Sequence, residues 1–330
     1  MQNNMETVKR FGEQAEKIKN ELRRDIVGQD EVVDNVIIAI VAGGNVLLEG
    51  VPGVGKTRLV RSLGRILGLP FSRIQFTPDL MPSDVTGMNV IEKDETGKMV
   101  QVFNKGPIFA NLVLADEINR ATPKTQSAML EVMQEHKVTV AGKTYTLEEP
   151  FFVLATENPI EQDGTYPLPE AQMDRFMFKL MMNFPGQDEL VDIVKMTQVT
   201  MEETAQQQVD GATVLEMRAL ASTVPVIDEV LAYAAALVAG THPELDKPSD
   251  TAKKYIKYGA SPRAAQALIT CAKVRALLGG HYHVSYEDID ALACPVLRHR
   301  IKINYAAVND KLSVDDVIAM LIKENKKLKK

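Results

Sequence analysis

NVLLEGVPGVGKTRLVRSLGRIL, residues 45–67, decides the fold. Its first six residues form an apolar run ending in glycine, the pattern of a short buried strand. From Lys56 onward, Leu59, Val60, Leu63 and Leu67 recur on one helical face, and Gly68 and Pro70 end that helix. The turn between the two is Gly50-Val51-Pro52-Gly53-Val54-Gly55-Lys56-Thr57, with the spacing G-x-x-x-x-G-K-S/T. Glycines let successive backbone N–H groups turn inward as an anion-binding nest. The helix start adds N–H groups without helical partners and a partial positive charge. Lys56 brings a full charge to the β- and γ-phosphates, and Thr57 offers a hydroxyl to Mg2+. A glycine-rich strand–helix connection without a ligand is the plain alternative, but both flanks and the Lys-Thr pair favour a site for Mg-ATP.

Outward from this stretch, short apolar strands alternate with helices. Strands are expected at 71–76, 111–115 and 151–156, with hairpins at 89–103 and 136–147. Helices are expected at 5–24, where Val8, Phe11, Ala15, Ile18 and Leu22 share a face, and at 27–44. This alternation predicts an α/β fold, a parallel sheet with helices on both faces. After about Pro185 only helical periodicity remains. The expected organisation is a leading helix packed on the core (1–25), a nucleotide-binding domain (26–187) and a smaller all-α domain (188–330). The closing KENKKLKK reads as a solvated, frayed helix end.

Composition narrows the function. The chain has 330 residues, 45% apolar and 25% charged, with 38 basic and 44 acidic residues for a net charge of −6. A mildly acidic chain does not advertise nucleic-acid binding. No signal-peptide core or membrane-length apolar run is present, and Cys271 and Cys294 lack metal-ligand spacing, so a cytoplasmic, reducing environment is expected. His281 and His283 alternate but have no third ligand in sight, and read as structural. The methionines at 177, 181 and 182 read as flexible packing.

NLVLADEINRA (111–121) is an apolar strand delivering two adjacent carboxylates. Their repulsion and partial burial are costly unless a cation or a reaction uses them. Asp116 is expected to hold Mg2+, directly or through water, and Glu117 to orient and deprotonate the attacking water. A helix N-cap is the alternative use of such acids. Ser261-Pro262-Arg263 reads as N-cap, N1 and N2 of a helix, where an arginine opposes the dipole unless an anion compensates.

These residues resemble the AAA+ ATPases, and within them the MoxR group. The resemblance extends over QFTPDLMPSDVTG (75–87), KGPIFANLVLADEINRATPKTQSAMLEVMQE (105–135), ATENPIEQDGTYPLPEAQMDRF (155–176) and GASPRAAQAL (259–268). It implies an AAA+ domain followed by an all-α lid, with the hairpin at 89–103 as the helix-2 insert and that at 136–147 as the hairpin before the first sensor. It places Val27 and Gly28, in VGQ, beside the adenine, and makes Asn158 the first sensor, near the γ-phosphate. Arg175, which by its residues alone could equally form an internal ion pair with Asp174, becomes an arginine finger reaching a neighbouring subunit, and Arg263 the second sensor, linking lid to phosphates. Arg120 is a second candidate at that interface. Glu157 stands where the family often has Gln.

The resemblance further implies a hexameric ring, since a head-to-tail interface that closes gives a cyclic oligomer. It implies chaperone-like work on protein clients, such as maturation or metal-cofactor insertion, often with a partner carrying a von Willebrand factor A domain. Two other readings are a DNA-acting motor of helicase or branch-migration type, and a nucleotide-gated scaffold. The −6 charge speaks against the first, and the presence of Glu117 against the second.

Overall fold

A computed structural model describes residues 2–95, 97–159, 164–200, 205–245 and 248–327. Parts of ATENPIEQDGTYPLPEAQMDRF and of the C-terminal charge run lie outside these residues. The chain opens with α1 (Gln2–Asp25), α2 (Asp30–Ala42), β1 (Val46–Gly50), α3 (Lys56–Ile66), β2 (Phe71–Gln75), α4 (Pro82–Thr86) and a hairpin of β3 (Gly87–Lys93) and β4 (Met99–Lys105). Then come β5 (Leu112–Asp116), α5 (Pro123–Glu135), a hairpin of β6 (Lys137–Val140) and β7 (Lys143–Thr146), β8 (Phe152–Glu157), α6 (Glu170–Met173) and β9 (Phe178–Met182). The rest is α7 (Gln187–Val194), α8 (Gly211–Ser222), α9 (Asp228–Ala239), α10 (Asp250–Tyr255), β10 (Ile256–Tyr258), α11 (Pro262–Leu278), α12 (Tyr286–Leu297), β11 (Lys302–Ile303), α13 (Tyr305–Asn309) and α14 (Val314–Lys327).

Five parallel strands form the sheet in the order β2-β5-β8-β1-β9. The strand order places β8, and not β2, beside β1, so the chain ends of β1, β5 and β8 meet along one edge, where open α/β sheets bind ligands. β9 is absent from the sequence reading. Its run FKLMM alternates properly, with Phe178, Leu180 and Met182 buried. It contains no β-branched residue and only Phe178 favours a strand, so propensity gives little strand signal. The helical part likewise carries one short antiparallel ribbon, β10 with β11, that the pattern did not show.

One sheet face, with Val46, Leu48, Leu114, Leu154 and Leu180, packs on α3 and the leading helices. The other, with Leu47, Val113, Ala115 and Val153, packs on Met129, Leu130 and Met133 of α5. Val8, Phe11, Ala15, Ile18 and Leu22 of α1 are all buried, as their spacing predicts. Each large side chain removed from water in this way contributes roughly 1.5–3 kcal/mol. The core on the α3 side runs on without a break into α8, α9, α11, α12 and α14, so sheet and helices share it. Asp25, at the end of α1, accepts from Ser62 of α3 at 2.6 Å and pairs with Arg58 at 3.4 Å, fastening α1 to α3.

Candidate nucleotide-binding site

The turn after β1 is built around glycine. A side chain at Gly50 would meet the Met182 carbonyl at 2.7 Å, because β9 runs alongside. Gly53 and Gly55 have φ of 86° and 95°, which L side chains rarely adopt. Gly55 is the N-cap of α3 and makes no side-chain cap bond, so the first-turn N–H groups are left to an incoming anion. Thr57, the second residue of α3, is half-buried beside them. Lys56 folds over its own loop: Nζ donates to the Gly50 carbonyl at 2.7 Å and the Glu157 carbonyl at 3.3 Å. Burial lowers the Lys56 pKa below the usual lysine value, while Asp116, Glu117 and Glu49 push the other way. That coupling places both acids after Ala115 in the electrostatic field of the P-loop lysine.

Asp116 ends β5, is buried and is held on both oxygens. Thr156 donates to Oδ1 at 2.6 Å, and Arg73 donates to Oδ2 through Nε at 2.9 Å and Nη2 at 2.6 Å. Glu117 sits at φ 55°, ψ 51°, a left-handed conformation that costs a non-glycine residue about 1–3 kcal/mol. Its N–H donates to Thr156 Oγ1 at 2.8 Å, and its Oε2 accepts from Gln75 at 2.8 Å and Arg120 at 3.1 Å. Although Glu117 stands at the N-cap of a short 3-10 turn, its side chain caps nothing, which removes the capping explanation for this acid.

Asn158 follows β8 directly and is buried. Glu157, its neighbour, lies opposite Glu49 in register, and Glu49 pairs with Lys179 at 2.5 Å. Burial raises the Glu157 pKa, Lys179 opposes this and Glu49 adds to it. At the other side of the loop, Gly28 has φ 71°, and the Glu189 carboxylate fills the space a Cβ would take, 2.4 Å away. Val27 beside it is half-buried. Gln29 donates to the Asn183 carbonyl at 2.9 Å, tying this segment to the end of β9. Between Gly28, Gln29, Met181, Asn183, Arg298 and Asp315 lies a cavity of about 380 Å3.

Arg175 and Arg263 stand elsewhere. Met177 donates its N–H to the Asn45 carbonyl at 2.8 Å, so Arg175 lies at the strand starts, a full strand length (about 16 Å) from the P-loop edge. Its Nη1 donates to the Leu130 carbonyl at 3.0 Å, and its Nε has no partner among the described residues. Arg175 and Arg263 both line a second cavity of about 330 Å3, and Arg263 pairs loosely, at 3.7 Å, with Asp174. The N-cap reading of SPR holds, with Ser261 Oγ accepting from the Arg263 N–H at 3.2 Å. The structure thus brings Lys56, Thr57, Asp116, Glu117 and Asn158 to one edge of the sheet, and Arg175 and Arg263 to the other. His281 is occupied by Asp288 and the Gly279 carbonyl.

Sequence reasoning missed Arg73, Gln75 and Thr156. The signal for the first two was the polar alternation in FSRIQF, where 73 and 75 share a face. Thr156 looked like an ordinary strand residue.

A sequence profile of the ATPase family associated with various cellular activities (AAA) matches residues 45–178, and one of the AAA lid domain matches residues 249–320. The chain is 41% identical to Chaperone MoxR1 of Mycobacterium tuberculosis over 90% of its length and 78% of that protein. It is 30% identical to Protein MoxR of Methylorubrum extorquens, over 87% of each. The crystal structure of a protein from Cytophaga hutchinsonii, provisionally named an ATPase, superposes with a TM-score of 0.88 at 37% identity, covering 98% of this chain and 97% of that one. A P-loop, two acids at the end of the neighbouring strand, an AAA domain and its lid in one chain lead to one conclusion: the chain belongs to the MoxR family of AAA+ ATPases.

Proposed function

We propose that this chain hydrolyses Mg-ATP in a ring of its own copies and uses the cycle to remodel protein clients. The observation that carries the chemistry is the convergence of Lys56, Asp116, Glu117 and Asn158 on the edge bearing the P-loop. The loop N–H groups and Lys56 bind the phosphates, and Val27 and Gly28 lie beside the adenine. The donor set suits magnesium. Thr57 is placed by α3, and Asp116 keeps acceptor capacity on Oδ1 beyond the Thr156 bond. With Arg73 on Oδ2, Asp116 would hold the ion from Oδ1, directly or through water, with Thr57 as the other ligand. Magnesium, when bound, neutralises charge on the β- and γ-oxygens.

Gln75 and Arg120 both bond to Oε2 of Glu117, which leaves Oε1 as the acceptor of the water proton. Asn158 orients that water, its oxygen bonds to the γ-phosphorus, and ADP leaves with the bridging oxygen. Arg175 and Arg263, one sheet length away, serve a neighbouring copy's nucleotide. This supports a head-to-tail ring, hexameric by the family resemblance. The MoxR names favour protein remodelling over a DNA motor, with maturation or cofactor insertion as the work and a von Willebrand factor A protein as helper. The division into 1–25, 26–187 and 188–330, and a cytoplasmic location, belong to the same reading. Among the described residues no helix is long and apolar enough to cross a membrane.

ATP binding tests the first step. Lys56→Ala should weaken ATP affinity in magnesium by about 10- to 100-fold, the worth of one charge-assisted bond at roughly 1.5–3 kcal/mol. Calorimetry giving equal affinities for both proteins would remove Lys56 from the phosphate site.

A further inference from the structure

The chain just past α12 holds three consecutive basic residues, Arg298-His299-Arg300, and all three donate to the backbone of one stretch, residues 174–179. Arg298 Nη1 donates to the Lys179 carbonyl at 3.3 Å, and His299 Nε2 to the Phe176 carbonyl at 3.0 Å. Arg300 uses every N–H it has. Its Nε reaches Asp174 Oδ1 at 2.9 Å, and Nη1 reaches the carbonyls of Met177 at 3.2 Å and Val296 at 2.5 Å. Its Nη2 reaches the carbonyls of Asp174 at 3.1 Å and Phe176 at 2.6 Å. The Arg300 side chain is only 3% exposed. His299 is buried too, and burial together with the Arg300 charge holds its pKa well below the usual value, so it is neutral with its proton on Nε2.

Part of this is edge protection. β9 is the last strand of the sheet, and its outer carbonyls need donors that no further strand supplies. Edge protection does not explain the rest. Asp174 and Phe176 precede the strand, and they flank Arg175. The Asp174 carboxylate is also gathered by Ser261, at 2.8 Å on each oxygen, and by Arg263. The side-chain tethers on both sides of Arg175 therefore come from the helical part of the chain, while its guanidinium reaches across to α5 with one bond.

We propose that His299 and Arg300 are positioning residues for Arg175, a strap by which the helical lid sets where that arginine projects, with Arg298 beside them on the edge of β9. This rests on the reading of Arg175 as acting on a neighbouring copy's nucleotide. Loss of the strap lets the backbone at 175 shift, and a misplacement of about 1 Å costs roughly 100-fold in rate.

The test uses full-length Arg300→Lys, which keeps the charge and loses the fork, and His299→Leu, which loses the donor. His299→Gln keeps a donor. Each is assayed for ATP affinity and turnover, alone and mixed with an equal amount of Glu117→Gln, with Arg175→Ala as the reference. Arg300→Lys and His299→Leu should lose about 10- to 100-fold in kcat, with ATP affinity held within about twofold. His299→Gln should recover most of the loss. Mixing should lift turnover above either component, because Glu117→Gln subunits lend a well-placed Arg175 to neighbours whose own site is intact. A fold defect would not be rescued in this way. Should Arg300→Lys fail to fold, His299→Leu decides alone. If Arg175→Ala is rescued by mixing while the strap variants are not, or if they turn over at the wild-type rate, the strap is wrong and the trans reading stands. If Arg175→Ala itself is not rescued, the trans reading falls and the strap role with it.

Discussion

The Thr156 hydroxyl donates to Asp116 and accepts from the Glu117 N–H, so one small side chain fixes both acids of the site. The second bond also holds Glu117 in its left-handed backbone, which a glutamate does not adopt freely. Thr156→Val keeps the shape and β-propensity and removes both bonds. It should cut turnover about tenfold or more while ATP affinity changes little, since a mis-set general base costs rate and leaves phosphate binding intact. Equal kcat for the two proteins would show that the hydroxyl is only filling space. At this scale the sequence was legible where function is contiguous. Gly50 to Thr57 and Asp116-Glu117 announce themselves because their chemistry is written in neighbouring residues. Thr156, Arg73 and Gln75 reach the acids from about 40 positions away, through strand register that no local pattern encodes.

Elements were legible in proportion to their periodicity. The α1 stripe and the P-loop helix came out as read, whereas β9 hid because only Phe178 of its five residues favours a strand. α12 shows how one element links stability to the site. At its start Asp288, fully buried, accepts from Arg275 at 2.5 Å, from His281 at 3.2 Å and from both the N–H and the hydroxyl of Ser285 at 2.9 Å. Beyond its other end lies the strap of His299 and Arg300. Burial pushes the Asp288 pKa up, but the Ser285 N–H, His281, the Ser285 hydroxyl and Arg275 together hold it below the usual carboxylate value. A folded-state pKa below the unfolded value of about 3.9 means the carboxylate stabilises fully above that pH. The contribution is lost as pH falls through the folded value. Asp288→Asn should therefore cost about 1–3 kcal/mol at pH 7, the lower part of the range being favoured because Arg275 is partly exposed. The difference in Tm from wild type should shrink between about pH 5 and pH 3. A gap that stays constant over that range would mean the charge is not what stabilises.

In the whole molecule, a continuous core joins the sheet to the helices, and the P-loop with its acids lies at the strand ends while Arg175 and Arg263 line a cavity at the strand starts. The sequence could place Arg175 and Arg263 only through family resemblance. Their separation from the P-loop is a product of topology, and under the proposed ring it leaves them to act on a neighbouring copy. Contacts with other copies or other proteins lie at interfaces that one chain's sequence does not write in periodic or contiguous form. What remains to be measured is whether the P-loop and the acids ending β5 form one hydrolytic centre. Phosphate release by assembled wild-type protein in saturating Mg-ATP, set against Glu117→Gln assembled in the same way, tests it most directly. Glu117→Gln should lose about 10²–10⁴-fold in turnover with ATP still bound as tightly as by the wild type. Undiminished phosphate release by Glu117→Gln would contradict it.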